Sequence, residues 1–370
     1  MSLGTKQGFL GWERLKDTSP LLKKMATLKT FSNTKLNAMR TSLILLIAAC
    51  VAGNVVRAQT DPHFSQYYVY PAWLNPALTG AFDGDYRISG IYRSQWGNIS
   101  SPFSTPGLSA DFTTSKNSNF GASILNQTAG DGGYNYLTAY GSYAYTGVRF
   151  GPQEYHRVVM GMQIGIIQRK FNPSKLTFGD QWNPITGYNP GAQTAEVFGR
   201  TSATSFDAGA GILYYDAQPG KKMNLFGGFA VSHLTQPDDQ FSATGKGKIP
   251  LRYTAHAGVR ITLNEVLSLT PNILYLKQGS AQEKMAGAYA RLIAAPGTDF
   301  MLGANYRFKD ALSPYVGFAH KNFVLGVSYD VNTSDLGKMA RGSNSFEISL
   351  SFIGKRSVKT PEVDFVCPRL

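Results

Sequence analysis

The chain is poor in the residues that most catalytic and metal-binding proteins need. Two cysteines, Cys50 and Cys367, occur in 370 residues, too few for a disulfide framework or a cysteine-rich metal site. The five histidines, His63, His156, His233, His256 and His320, are scattered, with no pair at metal-ligand spacing. No G-x-S-x-G elbow presents a nucleophilic serine. Glycines 209, 211, 227 and 228 lie within strand-like stretches, so they read as bends or bulges rather than phosphate-cradling loops. The sequence thus offers no catalytic residue, no metal ligand set and no cofactor site, and the expectation is a non-enzymatic protein.

Long apolar runs are also missing. Beyond residue 58 nothing approaches the ~20 apolar residues of a membrane helix, and helical 3.6-residue periodicity is hard to find. The segment from Met39 reads as an export signal: Arg40 gives the positive start, residues 42–52 the apolar stretch, and Val56-Arg57-Ala58 a small-residue cleavage site before Gln59. Residues 1–58 are therefore taken as an N-terminal extension plus cleaved signal, with Met39 as the true start. Cys50, after Ile47-Ala48-Ala49, also resembles the acylated cysteine of a lipoprotein, an alternative to the cut at Ala58.

A basic nucleic-acid footprint is missing too. The formal charge is +13, but residues 1–58 hold nine Lys/Arg and two Asp/Glu, leaving 27 against 21 beyond them with no basic run. Nucleic acid is not expected as a partner.

What the chain has is strand chemistry. It carries 39 Gly, 20 Tyr and 22 Phe, strand-formers mixed with residues that tolerate tight turns. Period-two alternation recurs throughout: Phe346, Ile348, Leu350 and Phe352 against Glu347, Ser349 and Ser351, and Tyr253, Ala255, Ala257, Val259 and Ile261 against Arg252, Thr254, His256 and Arg260. His256, sharing a face with Arg252 and Arg260, is expected to point into a wet lumen. Such runs begin near Asp85, Pro106, Asn119, Tyr134, His156, Ser205, Met223, Leu251, Leu267, Glu283, Thr298, Ala311, Asn322 and Ser345.

Each run is long for a soluble strand, and ~10 residues tilted by ~45° cover the ~25 Å apolar band of an outer-membrane wall. The expected fold is all-β: a single transmembrane antiparallel β-barrel of about 14 strands over residues 85–354, in the cell outer membrane and in contact with its lipid. Long connections follow odd strands at 172–204, 235–250 and 334–344, as external loops should; residues 148–155 are the one long connection on the wrong side. Tyr134, Tyr145, Phe171, Phe308 and Tyr329 fit interfacial girdles. The competing soluble fold, a β-sandwich or propeller, calls for shorter strands or a ~40-residue repeat.

Residues 59–84 do not alternate. Asp61-Pro62-His63-Phe64-Ser65-Gln66-Tyr67-Tyr68 and Leu74-Asn75-Pro76-Ala77-Leu78-Thr79-Gly80 combine Pro turns with aromatics, which suggests a compact segment packed on the periplasmic mouth or in the lumen. Together with Tyr92-Arg93-Ser94-Gln95-Trp96, Phe103-Ser104-Thr105-Pro106, Tyr329-Asp330-Val331-Asn332-Thr333-Ser334, Phe346-Glu347-Ile348-Ser349-Leu350 and Cys367-Pro368-Arg369-Leu370, this segment resembles the PorP/SprF family of the type IX secretion system, over essentially the whole chain beyond the signal.

The resemblance implies an outer-membrane protein of Bacteroidota that works with the secretion translocon and periplasmic motor-associated proteins. Its cargo would be adhesins or other proteins bearing a C-terminal secretion signal, with gliding motility a frequent correlate. On the same ground the partner-binding candidates are the signature residues Asp61, Pro62, Phe64, Ser65, Gln66, Tyr67, Asn75, Pro76, Arg93, Gln95, Trp96, Cys367, Pro368 and Arg369. The polar tail, 355–370, reads either as a periplasmic docking peptide or as a frayed end. A transport pore with an open, charged lumen is the alternative to the secretion role.

Overall fold

The computed structural model describes residues 61–355 apart from 98–101, 115–116, 131–132, 190, 198–199, 240–246 and 335–344. The export signal, Cys50, Cys367, Pro368 and Arg369 lie outside the described residues.

Fourteen strands carry the fold: β1 (Tyr86–Gln95), β2 (Phe103–Thr113), β3 (Ser118–Ala129), β4 (Tyr134–Phe150), β5 (His156–Lys170), β6 (Ser202–Asp216), β7 (Met223–Ser232), β8 (Arg252–Thr262), β9 (Leu267–Gln278), β10 (Ala281–Ala295), β11 (Thr298–Arg307), β12 (Ala311–His320), β13 (Phe323–Asn332) and β14 (Ser345–Gly354). Each pairs antiparallel with its neighbours in sequence, and β1 closes on β14 with Tyr86 opposite Gly354 and Gln95 opposite Ser345. Closure leaves no strand edge, so the barrel's backbone amides are satisfied without water, as a lipid-embedded wall requires.

The side-chain pattern follows from the pleat. In β12 buried and exposed residues alternate strictly, with Ala311 and Tyr315 inward and Leu312, Val316 and Phe318 outward. The outward set around the barrel is dominated by large apolar side chains, Leu108, Ile164, Phe206, Ile273, Leu302 and Leu350 among them. The inward set is polar, including Arg93, Asp207, Arg252, Asn272, Asp330 and Glu347. This is the inverse of a soluble barrel and fits a wall that faces hydrocarbon.

The two ends differ. The connections at 171–201, 233–251 and 333–344 all follow odd-numbered strands, whereas those after β2, β4, β6, β8, β10 and β12 hold no more than six residues. Outer-membrane barrels keep short turns on the periplasmic side and long loops outside, which orients this one. The long even-side connection expected at 148–155 does not exist, because β4 runs on to Phe150 through a register shift between Tyr145 and Val148. A bulge lets a strand continue past a break in alternation.

Candidate functional site

Residues 61–84 fill the lumen. Phe64, Ser65, Gln66, Tyr67, Tyr70, Leu74, Asn75, Ala77, Leu78 and Thr79 are all at most 2% exposed, so this segment is a plug packed inside the barrel. It runs from the long-loop end, where Asp61 meets Gln278 at the end of β9 and Arg252 at the start of β8, down to the short-turn end, where the Asp85 amide donates to the Gly354 carbonyl. The segment can stay folded there because Pro71 starts a single helical turn, Pro71–Leu74, and Asn75 caps the next, Pro76–Leu78, accepting from the Ala77 amide at 2.9 Å. Phe64 meets Tyr70 and Trp73 edge-on, each at 5.8 Å. The apolar core built on them reaches opposite walls of the barrel, from Ile91 and Leu125 to Leu274 and Tyr315.

Three anchors hold the plug to the wall. The first is ionic. Glu347 of β14 accepts successive backbone amides, Ser65 at 2.6 Å and Gln66 at 2.8 Å, and pairs with Arg93 of β1. Asp330 of β13 accepts from the Ser65 hydroxyl at 2.7 Å, from Arg93 at 2.8 Å and from Arg307 at 2.9 Å. Gln95 lies against Arg93, its amide oxygen 3.0 Å from the guanidinium in the orientation that pairs donor with acceptor. Gln66 completes the set, donating to Ser328 at 3.1 Å and accepting from Ser349 at 2.7 Å. The inward residues of four separate sequence signatures, Ser65 and Gln66, Arg93 and Gln95, Asp330, and Glu347 and Ser349, are thus parts of one buried contact.

The second anchor is steric. Asn75 donates to the Ile212 carbonyl at 3.0 Å and lies 3.3 Å from His256 Nε2. A Cβ at Gly211 would stand 2.1 Å from Asn75 Oδ1, and one at Gly228 would stand 2.7 Å from Asn75 Nδ2. Gly209 pairs with Gln163 of β5, and pairing on both sides runs without a register shift through Gly211, Gly227 and Gly228, so these are not bulges; Gly211 and Gly228 leave space for the plug. Gly161 does the same for the Pro76–Ala77 peptide. His256 accordingly does not face a wet lumen: it is 4% exposed, because the plug occupies that level.

A Gly211→Ala variant is expected to lose about 1–3 kcal/mol of stability through the forced displacement. In an Asn75→Gly background, which removes the colliding amide, the same substitution should cost clearly less, and urea midpoints of the four proteins would show the coupling.

The third anchor is a latch at the long-loop end. His233, just beyond β7, bridges two carboxylates, Asp207 on Nδ1 at 2.8 Å and Asp61 on Nε2 at 2.7 Å. Arg252, stacked on Trp73 at 4.2 Å, pairs with Asp61 at 2.8 Å, and Tyr136 and Gln278 also donate to that carboxylate. Burial disfavours the imidazolium, but the Asp61 charge and hydrogen bonds to Asp207 and Asp61 outweigh it, and the His233 pKa is pushed up to about 9. Burial likewise opposes ionisation of Asp61, yet the His233 and Arg252 charges hold its carboxyl well below the ordinary value.

The raised His233 contributes stability in full below its ordinary pKa of 6.5 and loses it as pH rises through about 9. Asp61, depressed, contributes above its ordinary pKa of 3.8 and loses that as pH falls. The latch is strongest between these ordinary values. Urea unfolding at pH 6 and pH 10 should show the intact protein weaker at the higher pH, with the difference shrinking in His233→Gln.

Below the latch, Tyr68 lies against Tyr289 and Tyr315 at 6.0 and 5.9 Å. A small recess lies on the short-turn side of these rings, with Arg87, Arg260, Arg291 and Asp299 on its wall. Among the described residues no group of three His, Cys, Asp or Glu side chains could hold a metal ion.

The structure therefore brings Asp61, Phe64, Ser65, Gln66, Tyr67, Asn75, Pro76, Arg93 and Gln95 together at the plug–wall contact, with Pro62 at the plug's start. It leaves Trp96 apart, packed on Phe103 at 4.8 Å beyond the end of β1. The sequence places Arg252 on a lumen-facing strand side and Asp330 and Glu347 within the signature segments, but neither these three nor Asp207 and His233 stand among the candidate site residues. Their signal was available: each is charged or titratable and lies on, or just beyond, the inward face near the long-loop end of its strand.

A closed barrel with an apolar outer wall and a lumen packed by its own N-terminal segment is a plugged outer-membrane protein. The family model for the type IX secretion system membrane protein PorP/SprF matches residues 56–352, and the chain belongs to that family. No curated protein matches it. Among solved structures it is similar to the toluene transporter TbuX of Ralstonia pickettii, with 12% identity, a TM-score of 0.46, and 76% of this chain and 92% of that one covered. It is similar also to the CymD monoaromatic hydrocarbon channel, with 10% identity, a TM-score of 0.47, and 81% and 96% covered. The toluene transporter TodX of Pseudomonas putida gives 11%, 0.43, and 78% and 94%.

Proposed function

We propose that the protein is a non-enzymatic component of the type IX secretion machinery that holds partners at the outer membrane while other proteins conduct cargo. The observation that carries this reading is the filled lumen: a barrel whose interior is a packed core offers surfaces and position, not a passage. On this reading the translocon and periplasmic motor-associated proteins are its partners, and surface adhesins with a C-terminal secretion signal are the cargo it helps to export, with gliding as a downstream trait. The signature residues serve those partners by fixing the plug, and Trp96 and the Cys367-Pro368-Arg369 segment serve them by direct contact. A diffusion channel, the competing reading, requires the plug to leave.

Deleting the gene in the native bacterium and quantifying surface-attached and secreted proteins tests the role. At least one protein with a C-terminal secretion signal should fall several-fold outside the cell and accumulate within it. An unchanged secreted and surface proteome would remove the secretion role while leaving the barrel intact.

A further inference from the structure

The outer wall carries a basic patch that the plug and the secretion role leave unused. β9 and β10 are joined by the tight turn at Gly279-Ser280, and their register sets Tyr275 opposite Lys284 and Lys277 opposite Gln282. Lys277 and Lys284 are therefore diagonal neighbours, ~7–8 Å apart at Cα. Both share the lipid-facing side with Tyr275 and Ile273, since Leu274, Leu276, Gln278 and Met285 of the alternate parity are buried in the lumen. The next turn brings a third ammonium alongside: the Phe308 amide donates to the Lys284 carbonyl at 2.9 Å, and Lys309 follows it. Tyr253, Tyr275, Tyr306 and Phe308 surround the group, all 36–53% exposed.

None of the three ammonium groups has a carboxylate partner among the described residues. The acids nearest in sequence are committed elsewhere: Glu283 turns inward towards His63, and Asp310 pairs with Arg307. An ammonium on a lipid-facing wall is costly unless it meets water or an anion. These lysines stand at the level of the tyrosines or one step beyond them, towards the long-loop end, which is the depth of outer-leaflet head groups.

We propose that Lys277 and Lys284, with Lys309 beside them, form a binding site for the phosphate of an outer-leaflet lipid whose acyl chains lie along Ile273, Tyr275 and Tyr306. Two ammonium groups on adjacent strands clamp one phosphate, and the aromatic belt holds the interfacial part of the lipid. The site fixes lipid on one flank of the barrel, between β8 and β12.

The test uses the full chain, purified in a non-ionic detergent and titrated with monophosphoryl lipid A, with bound lipid read by native mass spectrometry. The Lys277→Gln/Lys284→Gln double variant should bind about tenfold more weakly or worse, while Lys222→Gln, at the opposite end of the barrel, should bind like the parent. Dephosphorylated lipid should bind the parent no better than it binds the double variant, and millimolar inorganic phosphate should not displace the lipid. Equal retention by the double variant, or equal binding of the dephosphorylated lipid, overturns the site. Displacement by inorganic phosphate overturns its assignment to lipid. Because the lysines are exposed, heat-modified gel migration of the variant should match the parent, so loss of binding is not loss of fold.

Discussion

Removing residues 61–80 should turn a closed barrel into a conducting one. The wall does not depend on the plug for its backbone hydrogen bonds: every strand is paired on both sides by another strand, and β1 closes on β14 over ten residue pairs. What the plug supplies is the apolar core of the lumen, Phe64, Tyr67, Tyr70, Trp73 and Leu74, and the partners of the inward charges. Without it those charges hydrate in place, since an interior lined by Arg93, Asp330, Arg307, Glu347, Asp207 and Arg252 is one that water wets readily.

In planar bilayers the intact protein should stay near baseline. The truncated form should show stepwise openings at least about tenfold above it, as expected of a water-filled barrel. Both should migrate as heat-modifiable species, which separates an opened barrel from a misfolded one. Comparable conductance from the two would mean that the lumen is not sealed, and the positional reading would give way to a channel.

The wall was far more legible in the sequence than the lumen. Its signal is local: alternation along ten or more residues shows in each strand alone, and the strand starts read at Met223, Leu267, Thr298, Ala311 and Ser345 coincide with the observed ones. The start near Pro106 falls three residues inside β2, because Phe103-Ser104-Thr105 alternates weakly and is drawn into the sheet by pairing with Gln95, Ser94 and Arg93. The plug's contacts could not be read this way. Ser65 meets Glu347 across 282 positions of sequence, and Asp61 meets Arg252 across 191. Gly211 and Gly228 look like ordinary strand defects until the side chain of Asn75 is placed over them. The surroundings of His256 are illegible for the same reason: parity tells which side chains point inward, but not whether the inside is water.

Among single substitutions the largest loss of stability should come from Glu347→Ala. Glu347 is fully buried, and its two oxygens accept the Ser65 and Gln66 amides while the carboxylate balances Arg93. Its removal leaves Arg93 to share Asp330 with Arg307 and strands two plug amides, a loss of about 3–5 kcal/mol. Glu347→Gln should recover little of this, because the new amide turns an NH2 towards a site that already holds the Ser65 and Gln66 amides, the Arg93 guanidinium and the Ser328 hydroxyl as donors.

Charge balance gives a sharper comparison. Arg93→Met/Glu347→Met removes one cation and one anion and leaves Arg307 paired with Asp330 at 2.9 Å. An unpaired buried charge costs more than a missing pair. The double variant should therefore be more stable than Glu347→Ala, because both strand the same two amides but only the single variant keeps an excess buried cation. Urea unfolding in detergent, followed by the shift in tryptophan emission as the buried Trp73 becomes exposed, would rank the four proteins. A double variant no more stable than Glu347→Ala would show that the plug is held by its amides alone and that the buried charges contribute nothing to seating it.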